Sequence, residues 1–190
     1  MTDDEKYLRD SIRVWVWGGF YDQERAVEHL DDLFADDPDL TVDKAAMRKV
    51  LNAEFAAKAA AEKTWPKETD CDRLDRAFDE LHRAGICALH NAGYTQSDGH
   101  SDVAEVLHEE GREKFRGFCF YHGQDLERAV NGSGLLIAFG DLDEVEADMI
   151  AVGHAVVAAL TKHGFKTEWD GTPKRRIDIT NIDWKRRTPR

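Results

Sequence analysis

Apolar positions along the chain recur at two different spacings, and the change falls near Pro66. Before it the step is three to four residues, the mark of helices that bury one stripe. Leu8, Ile12 and Trp15 share such a face, and Gly18-Gly19 ends it. Val14 to Trp17 (VWVW) fits a short strand as well, because periodicity alone does not decide so short a run. Ala26, Val27, Leu30, Leu33 and Phe34 form a second stripe, which Asp36-Asp37-Pro38-Asp39 breaks. A third helix is predicted from a Thr41 N-cap through Val42, Met47, Val50, Leu51 and Phe55 to about Lys63, with Trp65-Pro66 stopping it.

Beyond Pro66, short apolar runs alternate with helical stripes. The runs are GICALHN (85–91), GFCFYHG (117–123), GLLIAFGD (134–141) and FKTEWDG (165–171). Between them, Leu74, Ala77, Phe78 and Leu81 face inward from a helix capped by Thr69 or Asp70. A polar loop from Gly93 to Gly99 precedes a helix with Ser101 as its expected N-cap. Gln124 to Val130 makes a short helix, and Val145, Met149, Val152, Val156 and Leu160 mark a long one. Leu135 to Phe139 is apolar on both faces, which predicts a central strand covered on both sides. The last two strands, Phe165 to Trp169 and Arg175 to Ile179, flank Asp-Gly and Pro, so an antiparallel hairpin is expected. The fold class that follows is α/β (α+β mixed): a mixed sheet of about five strands with flanking helices and a helical N-terminal region. The expected organisation is a helical region, 1–66, packed on an α/β domain, 67–190. The direction of the third strand stays open, because the link from His122 to Leu135 is short for a parallel crossover.

Charge narrows the function classes. The 190 residues carry a net charge of -12, which argues against general nucleic-acid binding. From Lys174 onward, however, seven basic residues meet two aspartates. That segment is expected to lie against an acidic body or to reach an acidic partner. The start, MTDDEKYLRD, has no apolar stretch, so no secretory signal is expected, and the apolar runs are too short to span a bilayer. Cys71, Cys87 and Cys119 are odd in number and contain no CxxC pair. Neither a disulfide framework nor a zinc ribbon is indicated, and a reducing cytoplasm is the expected compartment.

From Thr69 to Arg187 the chain resembles an uncharacterised bacterial family, a domain of unknown function. The likeness is carried by LDRAFDELHRAG (74–85), RGFCFYHGQDLERAV (116–130), GLLIAFG (134–140), Val152 to Leu160 and EWDGTPKRRI (168–177). Trp17-Gly18-Gly19-Phe20 extends it toward the N-terminus. The resemblance implies an α/β domain and no known activity. Some relatives carry cysteines between the first strand and the next helix. Residues 93–100 here contain none, so a metal site built on those cysteines does not carry over.

In α/β sheets ligands bind outside the carboxyl ends of the strands. Those ends carry His90, His122 and Asp141, and Asp170 closes the fourth run. Paired histidines bind metals or exchange protons near neutral pH. His90, His122 and Asp141 are therefore the catalytic candidates, and His90 with His122 the candidate metal pair. The simpler reading is that each histidine bonds its own loop. No HExxH, GxSxG, GxxxxGK[ST] or GxGxxG motif supports a catalytic reading. Tyr94, Asp98 and His100, with Tyr121, Gln124, Trp169 and Asp170, are the candidate ligand-binding residues. Cys87 and Cys119 sit in apolar runs and read as core thiols. No cofactor is expected. The function expected is non-enzymatic binding of a partner or ligand, as in immunity proteins, with a metal-assisted or histidine-based hydrolase as the alternative. A basic partner would face Asp31, Asp32, Asp36, Asp37 and Asp39.

Overall fold

The structure, a computed structural model, describes residues 2–37 and 40–189. Contacts group the chain into two units, and the helical one ends at Thr69 rather than at residue 66. It also takes in the segment from Lys185 onward, while Asp70–Trp184 forms the other unit.

The helical unit contains α1 (Asp3–Gly18), α2 (Gln23–Asp36) and α3 (Lys44–Glu62). Each begins on a side chain that satisfies free backbone donors: Thr2 for α1, Asp22 for α2 and Asp43 for α3. Asp43, not Thr41, is the third cap; its carboxylate accepts from Ala45 N and Ala46 N at 2.8 and 3.2 Å. VWVW is the last turn of α1, with Val16 rather than Trp15 at the bottom of the stripe. Leu8, Ile12, Val16, Ala26, Leu30, Met47, Leu51 and Phe55 form the core. Lys58 is fully buried there and donates to the Val16 carbonyl at 2.9 Å, closing the end of α1. Gly19 turns the chain in the left-handed region at φ 77°, and a side chain there would meet the Arg186 carbonyl at 2.6 Å.

The basic C-terminal segment is tied into this unit. Arg186 lies over the Phe20 ring at 4.8 Å, Arg187 donates to the Pro66 carbonyl at 2.6 Å, and Thr188 donates to Glu62 at 2.9 Å. On the acidic helices, Asp31 is paired with Lys44 and Arg48, while Asp32, Asp36 and Asp37 are exposed. Asp39 lies outside the described residues.

The second unit runs α4 (Asp70–Arg83), β1 (Ile86–Leu89), α5 (Gln96–Glu110), β2 (Gly117–Phe120), α6 (Gly123–Val130), β3 (Leu135–Asp141), α7 (Glu146–Lys162), β4 (Thr167–Glu168) and β5 (Ile177–Ile179). The strands make a five-stranded mixed sheet in the order β1-β2-β3-β5-β4, with β3 in the middle. Only β1 and β2 run parallel. The eight residues of α6 are too few for a parallel crossover, so β3 returns antiparallel to β2. The final strands form the expected hairpin, shorter than predicted. Helices α4 and α7 pack on β1 and β3, and α5 contributes Val103 to a cluster with Cys87, Ala92, Phe115, Phe120 and Ala138.

One predicted loop is mostly helix. Helix α5 starts at Gln96, so Asp98, Gly99, His100 and Ser101 are all helical, and Thr95 is the cap in place of Ser101. The Thr95 hydroxyl receives Asp98 N at 3.3 Å, and the Asp98 carboxylate receives Thr95 N at 2.9 Å. This is a capping box with aspartate in the position usually held by glutamate. Gly99 belongs in the helix because the Phe120 ring occupies the space of a β-carbon.

Candidate functional site

The strand ends do not converge as the sequence implied. Register pairs Gly117 with Asp141, so Asp141 sits at the edge where β2 begins, opposite His122. Its carboxylate accepts Asp143 N at 2.9 Å and Val145 N at 3.1 Å. Those backbone donors, Val145 first, hold its pKa below the ordinary value. Asp141 therefore shapes the entry to α7 and is not a partner for the histidines.

His90 and His122 do follow parallel strands, yet they face different neighbours. The His90 ring stacks on Phe78 at 4.4 Å, with Nδ1 3.1 Å from the Tyr121 hydroxyl and Nε2 3.4 Å from Asp75. Successive extended residues alternate sides, so His122 turns away from Tyr121 and its ring. His122 Nε2 lies 3.1 Å from Arg176 Nη1 and 3.1 Å from Asp125.

The ligand-binding candidates are dispersed as well. Tyr121 is fully buried between Phe78 and Trp184, out of reach of a ligand. Asp98 serves the α5 cap, which also holds its pKa low, the Thr95 backbone donor first. His100 is exposed on α5 and meets the Phe118 and Phe120 rings edge-on at 5.2 Å. Tyr94 is exposed and donates its hydroxyl to Glu127, and its carbonyl accepts the Gln124 N–H at 3.2 Å. Trp169 and Asp170 do come together, in one cavity.

That cavity is a cleft of about 430 Å³ beside the hairpin, lined by Leu136, Glu168, Trp169, Asp170, Arg175, Arg176 and Asp178. Its floor is set by register: Leu136, Asp178 and Glu168 stand in a row across β3, β5 and β4. Two carboxylates opposite each other repel. Burial raises the Asp178 pKa and Glu168 adds to the effect, while Arg128, 3.4 Å away, and Arg176 oppose it. Asp170 is engaged in its own turn, accepting Thr172 N and Thr172 Oγ1 at 2.9 Å, and Thr172 lowers its pKa. The Trp169 indole donates to the Thr172 carbonyl at 2.9 Å and its ring packs edge-on against Phe139 and His154.

Arg176 joins this cleft to a buried polar cluster. Its Nη1 donates to Asp125 Oδ1 and Oδ2 at 2.9 and 3.0 Å and to His122 Nε2 at 3.1 Å. His122 is 3% exposed and Asp125 2%. An arginine donates only, so the Arg176 contact is a hydrogen bond when Nε2 is unprotonated, whereas the Asp125 oxygen at 3.1 Å accepts from Nε2 when it is protonated. Burial lowers the His122 pKa from its ordinary value, Arg176 adds to this, and Asp125 opposes it. Burial raises the Asp125 carboxyl, against the pull of Arg176. Asp125 also accepts the His122 N–H at 3.3 Å, fixing the start of α6. The sequence reading missed Asp125 and Arg176. A signal for Asp125 was available in His-Gly-Gln-Asp, which has the spacing of a capping box.

Residues 1–188 match a family described as a domain of unknown function (DUF6891). The chain belongs to that family. The match extends over the helical N-terminal region, well beyond the span from Thr69 that carried the resemblance. No curated protein and no solved structure matches the chain.

In this DUF6891 protein the three cysteines are free and buried. Burial pushes the Cys87 thiol up to about 11 and raises Cys119 further, so neither forms a thiolate near neutral pH. Among the described residues, no group of three His, Cys, Asp or Glu side chains is arranged to hold a metal ion. No helix among them is long and apolar enough to cross a membrane.

Proposed function

We propose that this protein works by binding rather than by catalysis, and that the hairpin cleft receives its ligand or a segment of its partner. One observation carries the reading. Of the charged side chains lining the cleft, Arg175 and Glu168 are exposed and take part in no hydrogen bond or ion pair among the described residues, whereas Arg176, Asp170 and Asp178 are engaged internally. One unengaged cation and one unengaged anion, beside the Trp169 ring, suit a ligand that carries both charges. The protein would be a cytoplasmic bacterial one, which agrees with three unpaired thiols. A hydrolase built on His90, His122 and Asp141 draws no support from this geometry, since the three face different neighbours.

The test is titration of the native chain with a lysyl-glutamate dipeptide while the Trp169 indole N–H is followed by NMR. Movement of that resonance in the wild type, lost in Arg175→Glu, is the expected result. An unmoved Trp169 resonance at saturating dipeptide and at matched free lysine and glutamate would remove the cleft from the proposal.

A further inference from the structure

Strand β1 is one of the two edge strands of the sheet, and among the described residues no strand pairs with its outer side. Such an edge leaves backbone N–H and C=O groups open to another chain. Proteins usually guard these edges with lysine, proline or a bulge. Ile86, Cys87, Ala88 and Leu89 supply none of these.

A groove of about 510 Å³ meets the C-terminal half of the same strand. It is lined in succession by Ala88, Leu89 and His90. Neighbouring residues of a strand point to opposite faces, so a cavity touching both Ala88 and Leu89 reaches the strand edge, and His90 extends it just beyond. The far wall is one face of α5, with Asp102, Glu105, Val106 and Glu109 at helical spacing. Among the described residues these three carboxylates make no hydrogen bond or ion pair, and Glu105 and Glu109 are exposed. The groove thus combines an apolar floor, an unpaired strand and an unneutralised acidic wall.

We infer that β1 accepts an extended basic peptide segment as an added strand, with its main chain bonded to β1 and its lysine or arginine side chains against α5. The charge of the wall selects the occupant: an acidic strand would be repelled, and a neutral one would leave three carboxylates facing an apolar surface. A second copy of this chain is a poor fit, because its own β1 is apolar and would carry the same acidic wall alongside. This surface is distinct from the hairpin cleft at the other end of the sheet, so either can fail without the other.

The experiment adds the peptide acetyl-Lys-Val-Lys-Thr-Lys-Val-Lys-amide to the full chain and follows amide hydrogen exchange at residues 86–90. Slower exchange there on binding is expected. The Glu105→Lys, Glu109→Lys double variant should weaken binding by about tenfold or more. A peptide N-methylated at alternate bonds keeps the charges but cannot pair, and it should lose binding with the protein left unaltered. Three results would overturn the inference: no binding, binding with unchanged exchange in β1, or equal binding of the N-methylated peptide. A peptide-free dimer in the ultracentrifuge with β1 protected would overturn it too, by showing that the edge is taken by a second copy.

Discussion

Arg176 holds two buried groups at once, so its removal is felt through what it leaves behind. Arg176→Ala would leave the Asp125 carboxylate in a nearly solvent-free site with the His122 backbone N–H and ring but without its charged donor. A loss of roughly 2–3 kcal/mol in urea unfolding is expected. Arg176→Lys should recover only part of it, because a single ammonium does not reproduce the fork of a guanidinium. The same cluster sets a pH dependence. The folded state lowers the His122 pKa from its ordinary 6.5, so the unfolded chain binds the proton more readily. Stability is therefore full above that value and declines as pH falls below it. Asp125, raised by burial, works in the opposite sense, and Arg176 stays charged throughout. A His122→Gln variant separates the two. Its thermal midpoint should vary less than that of the wild type between about pH 7 and 5. An unchanged slope would place the dependence on another group.

Helix α5 shows how one element defeats a local reading. Gly-Tyr-Thr-Gln-Ser-Asp-Gly has the composition of a loop, and Gly99 looks like a breaker. The reason for that glycine is the Phe120 ring, which belongs to another strand and cannot be read from neighbours in sequence. Gly99→Ala should then destabilise by about 1–3 kcal/mol, even though alanine favours helices, because the ring must move. Thr95→Ala should cost about 1 kcal/mol through the lost cap. Denaturant midpoints of the two variants check both. Elsewhere the pattern sufficed: Leu74, Ala77, Phe78 and Leu81 form the buried face of α4, and the two-sided apolar run of β3 lies at the centre of the sheet. Long stripes are legible because burial imposes their spacing. The site is less so, because its partners are tertiary: Arg176 reaches His122 across 54 positions and Asp125 across 51. The antiparallel return of β3 likewise decides that Asp141 and His122 lie at opposite edges, a fact carried by a connection length rather than by either residue.

For the molecule as a whole, the segment from Lys185 matters more than its charge suggested. Arg186 and Arg187 serve the helical unit through Phe20 and Pro66, and Thr188 binds Glu62 beside the buried Lys58. Deleting residues 185–190 should speed amide exchange in α1 and α3 and leave the rates in β2 and β3 near those of the intact chain. Uniform acceleration would mean that the two units unfold as one. The same arrangement has a bearing on how the protein is made. Because the helical unit is completed by residues that follow Trp184, its last contacts wait until that segment has been synthesised, after every strand of the sheet. Helices that precede the sheet in sequence are therefore sealed only after it, and until then their unfinished side is open to chaperones and proteases.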